Sequence, residues 1–174
     1  DRSRGLGDVY KRQIEQDCKE IILGLGGSCT NDCGVGAARA LGTCFFDTRG
    51  KEFMPTADTL SKIADIDNSI TQELLQGIKV TAMCDIDNPL YGPEGAAYVF
   101  APQKGADAST VELLDYNLQS LADVIADVLG KRVSKMPGTG AAGGFGAGVV
   151  SFFQGKLRSG IDTLLDLIKF DDLL

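Results

Sequence analysis

Histidine is absent from the 174-residue chain, which removes Ser-His-Asp and Cys-His triads, histidine-ligated zinc and imidazole proton shuttling. Acid–base work is left to carboxylates or lysine. Long apolar runs are missing as well. None reaches the length of a transmembrane helix, and the first residues lack the charged-then-apolar pattern of a signal peptide, so the reading is a soluble, cytoplasmic chain without a membrane partner. Basic runs are also lacking. The balance of 17 Lys+Arg against 24 Asp+Glu gives a formal charge of −7, which disfavours a nucleic-acid partner, since such a surface must neutralise phosphates. A small anionic substrate stays compatible, because a few backbone N–H groups and one lysine outweigh distant surface charge at short range. Five cysteines stand at 18, 29, 33, 44 and 84, an odd number without Cys-x-x-Cys spacing, which points to reduced thiols. Cys29 and Cys33, four apart, could share a helix face as a redox pair. Small residues at a tight helix start are the simpler reading.

What is present is ordinary globular stock, with 44% hydrophobic and 24% charged residues and a length that suits one compact domain or somewhat more. Residues 1–13 are polar and glycine-broken and predict no packed element. Ile21, Ile22 and Leu23 read as a short buried strand, ending in a glycine turn at 24–28 and followed by a small-residue helix at 34–41 that Gly42 stops. Residues 43–46 and 51–53 flank Asp47-Thr48-Arg49-Gly50, which has hairpin chemistry. Leu60, Ile63 and Ala64 sit at helical spacing, residues 78–84 read as a second strand, and 90–105 as mostly loop with a brief strand at 96–100. The clearest helix spans about 110–129, with Val111, Leu114, Leu118, Leu121, Ile125 and Val128 forming a stripe. Ser109 and Glu112 suit a capping box, and Gly130 closes the helix. A small-residue helix follows 138–144, and a last one covers 160–168. Alternating strands and helices argue for α/β.

Four places carry candidate chemistry. Residues 24–32 combine glycines with Ser28, Thr30, Asn31 and Asp32 ahead of a helix, so they read either as an anion-binding loop or as a merely tight turn; the loop is not a Walker A motif. Asp85, Asp87 and Asn88 follow a predicted strand end, where α/β sheets place ligands. They could hold Mg²⁺ or accept a hydroxyl proton, or simply build an Asx turn before Pro89. Gln103-Lys104-Gly105 offers a lysine for phosphate. Residues 138–143 match G-x-G-x-x-G literally, with Asp162 at the spacing of a ribose acid. A dinucleotide site would demand a strong strand before Pro137, and 131–136 is polar.

Read together, Gly-Leu-Gly-Gly-Ser-Cys-Thr-Asn-Asp (24–32), Cys-Asp-Ile-Asp-Asn-Pro-Leu-Tyr-Gly-Pro-Glu-Gly-Ala (84–96), Phe-Ala-Pro-Gln-Lys-Gly (100–105), Pro-Gly-Thr-Gly-Ala-Ala-Gly-Gly (137–144) and Gly-Ile-Asp (160–162) resemble the bacterial glycerate kinase family. The resemblance covers about residues 20–174. It implies transfer of the ATP γ-phosphoryl group to D-glycerate, giving 2-phosphoglycerate, with Mg²⁺, in the cytoplasm. It also implies a mixed-sheet α/β domain corresponding to the middle, second domain of a two-domain glycerate kinase, spanning 14–174 behind a non-family lead-in at 1–13.

Segments expected at both ends, including Asp-Ser-Phe-Lys-Gly and Thr-Gly-Glu-Gly motifs, are missing from this sequence. They would form the partner domain, so the fragment alone is expected to be inactive, with exposed apolar faces and a tendency to homodimerise. Cys29 and Cys33 stand where the family often has alanine and glycine, and Ser159 where proline is usual.

By the same resemblance, Gly26, Gly27 and Ser28, together with Gly138, Gly140 and Gly143, would hold phosphate or the glycerate carboxylate. Lys104 would meet the transferring phosphate, beside Gln103. Asp85 or Asp87 would hold Mg²⁺ or orient the hydroxyl, and Asp32, Asn31 and Asn88 would support them. Two other readings stay open. One is an NAD(P)-dependent oxidoreductase using residues 138–143. The other is a non-catalytic α/β binding module, favoured if the turns at 24–32 and 85–88 lie far apart.

Overall fold

The computed structural model describes residues 5, 9, 12–14, 16 and 18–169. The lead-in expected at 1–13 lies mostly outside the described residues, and those described within it are helical. In chain order the elements are β1 (Glu20–Gly24), α1 (Val35–Ala40), β2 (Cys44–Phe46), β3 (Glu52–Phe53), β4 (Asp65–Asp67), α2 (Ser69–Leu74), β5 (Lys79–Met83), α3 (Ala96–Phe100), α4 (Ala108–Leu129), α5 (Ala141–Phe152), β6 (Lys156–Arg158) and α6 (Gly160–Leu167). Short 3-10 turns occupy Leu60–Lys62 and Pro102–Lys104. Among the described residues, no helix is long and apolar enough to cross a membrane.

Two sheets form a mixed α/β frame. The first is parallel, in the order β1-β5-β6. Its register sets Ile21 beside Val80 and Leu23 beside Ala82, so the alternating strand positions put four apolar side chains into the core. The second is antiparallel, in the order β3-β2-β4, with Phe45 opposite both Phe53 and Ile66. Phe45 is fully buried and meets Phe152 of α5 edge to face, with ring centroids 5.7 Å apart. A buried polar link crosses the same boundary: the Thr43 hydroxyl donates to Asn68 Oδ1 at 2.6 Å, and Asn68 Nδ2 donates to the Phe152 carbonyl at 2.9 Å.

Helix α4 buries the predicted stripe at Val111, Leu114, Leu118, Leu121 and Ile125, while Val128 is exposed. Gly130, with φ 67°, ends the helix. Its cap differs from the expected one. Asp107 accepts from the Thr110 amide at 2.8 Å, and Ser109 Oγ donates to that same carboxylate, because the helix starts earlier than the apolar stripe.

Residues 96–100 are helical rather than extended, since a short apolar run is ambiguous in period and the following 3-10 turn continues the winding. The helical spacing at 60–64 resolves into a 3-10 turn that runs into β4. Elements α2 and β6 had no sequence expectation. The outer side of α6 leaves Ile161, Leu164 and Leu167 exposed.

Candidate functional site

Parallel strands end at one edge of their sheet, and here that edge collects three loops. β1 releases the chain at Gly24 and β5 at Met83; the Leu25 amide still donates to the Met83 carbonyl at 3.1 Å, and the Cys84 amide donates to Arg158 at the end of β6 at 2.8 Å. Loops leaving the carboxyl ends of strands are where open α/β sheets bind ligands.

The first cleft at this edge has a volume of about 290 Å³ and is lined by Gly26, Gly27, Ser28, Asp85, Gln103, Lys104 and Gly143, with Ala141 and Ala142 beside them. The turn at 24–32 and Asp85 therefore face one space, contrary to the arrangement that would favour a non-catalytic module. Residues 142–144 have φ of 52°, 70° and 88°. This left-handed start bends α5 so that its first turn borders the cleft; the Ala141 amide donates to the Gly138 carbonyl at 3.1 Å and the Gly144 amide to the Gly140 carbonyl at 3.2 Å.

Lys104 is placed by the 3-10 turn after α3. Its Nζ donates to Ser28 Oγ at 2.9 Å and to the Thr30 carbonyl at 2.7 Å, leaving one of three ammonium donors for a ligand. Burial pulls its pKa down, partly countered by the nearby Cys29 and Asp32.

A second cleft, of about 460 Å³, lies on the other side of the same lysine. Cys29, Thr30, Asn31 and Asp32 form one wall, and Pro55, Thr56 and Ala57 another, with Thr110 and Leu114 from α4. Asn31 is 5% exposed, and its Oδ1 has no hydrogen-bond partner. Asp32 is buried and accepts from the Gly34 amide at 3.1 Å, which fixes the turn into α1. Within that turn Cys33 has φ 55° and its amide donates to the Gly143 carbonyl at 3.2 Å. The Cys33 thiol is fully buried, and burial, reinforced by Asp32, drives its pKa far above the ordinary range. With Cys29 exposed and Cys33 sealed and neutral, the imagined redox pair is not formed; no disulfide joins the described cysteines.

The other predicted residues lie outside both clefts. Asp87 is exposed and lines neither. Asn88 donates to the Glu94 carbonyl at 2.8 Å, while its own carbonyl accepts from the Gly140 amide at 3.0 Å. Gly138 and Gly140 form a joint: an added Cβ at Gly138 would meet Cys84 Sγ and the Ile86 carbonyl, and at Gly140 the Pro89 carbonyl.

The dinucleotide reading fails here. Residues 131–136 contain no strand, Gly138 and Gly140 are packed against the 84–90 loop, and Asp162 sits in the first turn of α6. Asp85 lines the first cleft and also accepts from the Gly160 amide at 2.8 Å, tying α6 to the site. Among the described residues, no three Cys, Asp or Glu side chains gather as a metal cluster. Sequence reasoning missed Thr56, Thr110 and the Ala142 backbone, which carry no motif of their own. A recess of about 540 Å³ beside α2, lined by Gln72, Glu73 and Gln76, holds none of the predicted residues.

This geometry defines the class: an α/β protein with ligand clefts outside the carboxyl ends of its parallel strands. The chain belongs to the glycerate kinase family, whose model matches residues 1–174. It is 44% identical over 169 residues to a glycerate kinase of Bacillus cereus, covering 97% of this chain and 44% of that protein. It is 38% identical over 170 residues to glycerate 2-kinase of Escherichia coli K12, covering 98% and 45%. The crystal structure of a glycerate kinase 2 from Salmonella typhimurium LT2 superposes with a TM-score of 0.89 at 39% identity, over 93% of this chain and 43% of that one. The chain thus spans less than half the length of these relatives.

Proposed function

We propose that this chain supplies the phosphate-facing part of a kinase that transfers the ATP γ-phosphoryl group to D-glycerate, giving 2-phosphoglycerate. Lys104 carries this reading. It is a half-buried ammonium held between Ser28 and Thr30 on the shared wall of two clefts, in a chain whose relatives are named glycerate kinases. The remaining length of those relatives is proposed to complete the site, and a cytoplasmic setting goes with the need for ATP.

Phosphoryl transfer asks a protein for positioning and charge neutralisation more than for covalent chemistry. The Gly26, Gly27 and Ser28 segment and the Ala142 and Gly143 backbone, which line the cleft, would offer backbone donors to phosphate oxygens. Lys104 adds a full positive charge where the transferring group would sit, and Gln103 adds an amide. Asp85 is the carboxylate on the cleft wall. We assign it to the acceptor hydroxyl, whose proton it would accept as the hydroxyl oxygen bonds to phosphorus and the bond to the departing ADP breaks.

Asp85 also fits Mg²⁺, which is usually held by one or two carboxylates together with substrate phosphates. When bound, Mg²⁺ would offset phosphate charge. Asp87 is given no role, and Asp32 acts through the turn it fixes.

The test is ATP-dependent phosphorylation of D-glycerate by the protein at the full length of its relatives, with the product followed by phosphorus NMR. Formation of 2-phosphoglycerate is expected. K104M and D85N should each lower kcat/KM by about a hundredfold, whereas D87N should stay within about threefold of the unaltered enzyme. Wild-type turnover with D85N would remove Asp85 from the mechanism.

A further inference from the structure

We propose that the cleft of about 460 Å³ beside Lys104 takes the nucleoside half of a nucleoside triphosphate, whose phosphates lead past Lys104 into the cleft at residues 26–28. The inference rests on the phosphoryl-transfer reading above and assigns its donor to one of the two clefts.

Three observations carry it. Lys104 lines both spaces, which sets a cation at their boundary, where a ligand with its uncharged body in the larger cleft would bring its anionic tail. Asn31 lines the larger space, is more than nine-tenths buried, and has an Oδ1 without a partner. Buried amide oxygens in folded proteins are almost always satisfied, and the donor missing here is of the kind a purine amino group or a ribose hydroxyl brings. A carboxamide is also the side chain that matches the hydrogen-bonding edge of adenine.

The remaining walls supply apolar surface through Pro55, Ala57 and Leu114, against which a flat base can be buried. A three-carbon hydroxy acid has no apolar surface to use there. The smaller cleft, with Asp85, Gln103 and the exposed glycine turn, suits phosphate and acceptor instead.

Cys29 is exposed on the wall of the larger cleft and serves as a reporter that does not depend on turnover. The full chain is treated with N-ethylmaleimide, and modification at each cysteine is followed by mass spectrometry in adenosine, AMP, inorganic phosphate or D-glycerate. Adenosine and AMP, at ten times their dissociation constants, should slow Cys29 modification by about tenfold by mass action. Cys18 should be unaffected, and phosphate and D-glycerate should leave Cys29 unprotected.

Asn31→Asp should lose the protection. Ala57→Phe, which fills the cleft from the facing wall, should lose it as well and covers the case in which the Asn31 variant does not fold. Protection by D-glycerate but not adenosine, or by none of the four, overturns the assignment. Adenosine protection without phosphorylation of D-glycerate would keep the subsite and reject the acceptor; phosphorylation without protection would reject the subsite alone.

Discussion

At the scale of single residues, the site is built from backbone conformations that most side chains avoid. Cys33 holds φ 55° with its thiol in the core, a conformation costing an L-residue about 1–2 kcal/mol that glycine does not incur. C33G and C33A both delete the thiol, so their difference isolates the backbone. Urea denaturation should find C33G more stable than C33A by about 1 kcal/mol, and equal stabilities would mean that the turn carries no strain.

Lys104 yields a second expectation. Its pKa lies below the ordinary 10.5 because the ammonium is desolvated, so the charged form penalises the folded state at neutral pH. That penalty fades as pH rises through the lowered value towards 10.5. The stability of the unaltered chain relative to K104M should therefore improve across this alkaline window, measured by denaturation at a series of pH values. Phosphate affinity should fall over the same window as the charge is lost.

Gly26, Gly27, Ser28 and Lys104 could be singled out by residue type, and the structure brings them to one cleft. Asn31 was singled out from sequence only as a polar residue after the glycine turn. Its significance comes from an orphaned oxygen, which only packing reveals.

At the scale of elements, long periodic segments were readable and short ones were not. The stripe of α4 repeats often enough to set its face. Residues 52–53 were placed by hairpin turn chemistry, whereas 156–158 were missed because three residues show no period and their pairing partner, β5, is distant in sequence. The 138–144 loop shows how a motif can match in letters and differ in use. Gly140 is required by an approach of the Pro89 carbonyl, at an unremarkable φ of −75°, so its role is purely steric. G140A should cost about 1–3 kcal/mol in thermal or chemical denaturation through overpacking. A neutral effect would show that the 84–90 loop can move aside.

For the whole molecule, the two sheets are held to each other through α5. Its Phe152 ring faces Phe45, and its Phe152 carbonyl closes the Asn68 link. T43V keeps the side-chain shape but leaves Asn68 Oδ1 and the Thr71 hydroxyl, 2.7 Å from Thr43 Oγ1, without that partner. It should lower stability by about 1–3 kcal/mol in urea unfolding. A smaller change would mean that the link is dispensable.

The α/β class followed from alternating patterns along the chain and its mixed sheets from the family resemblance, whereas the patterns did not give the proximity of 25–28, 85 and 103–104, because it depends on which strands become neighbours. That neighbourhood also governs how the molecule forms. The parallel sheet joins Glu20 to Lys79 and Thr81 to Lys156, so each pairing must close a long loop before any of its hydrogen bonds compensates the lost chain entropy. Loop-closure entropy therefore predicts that the site edge pairs later in folding than the hairpin and α4, whose contacts are local.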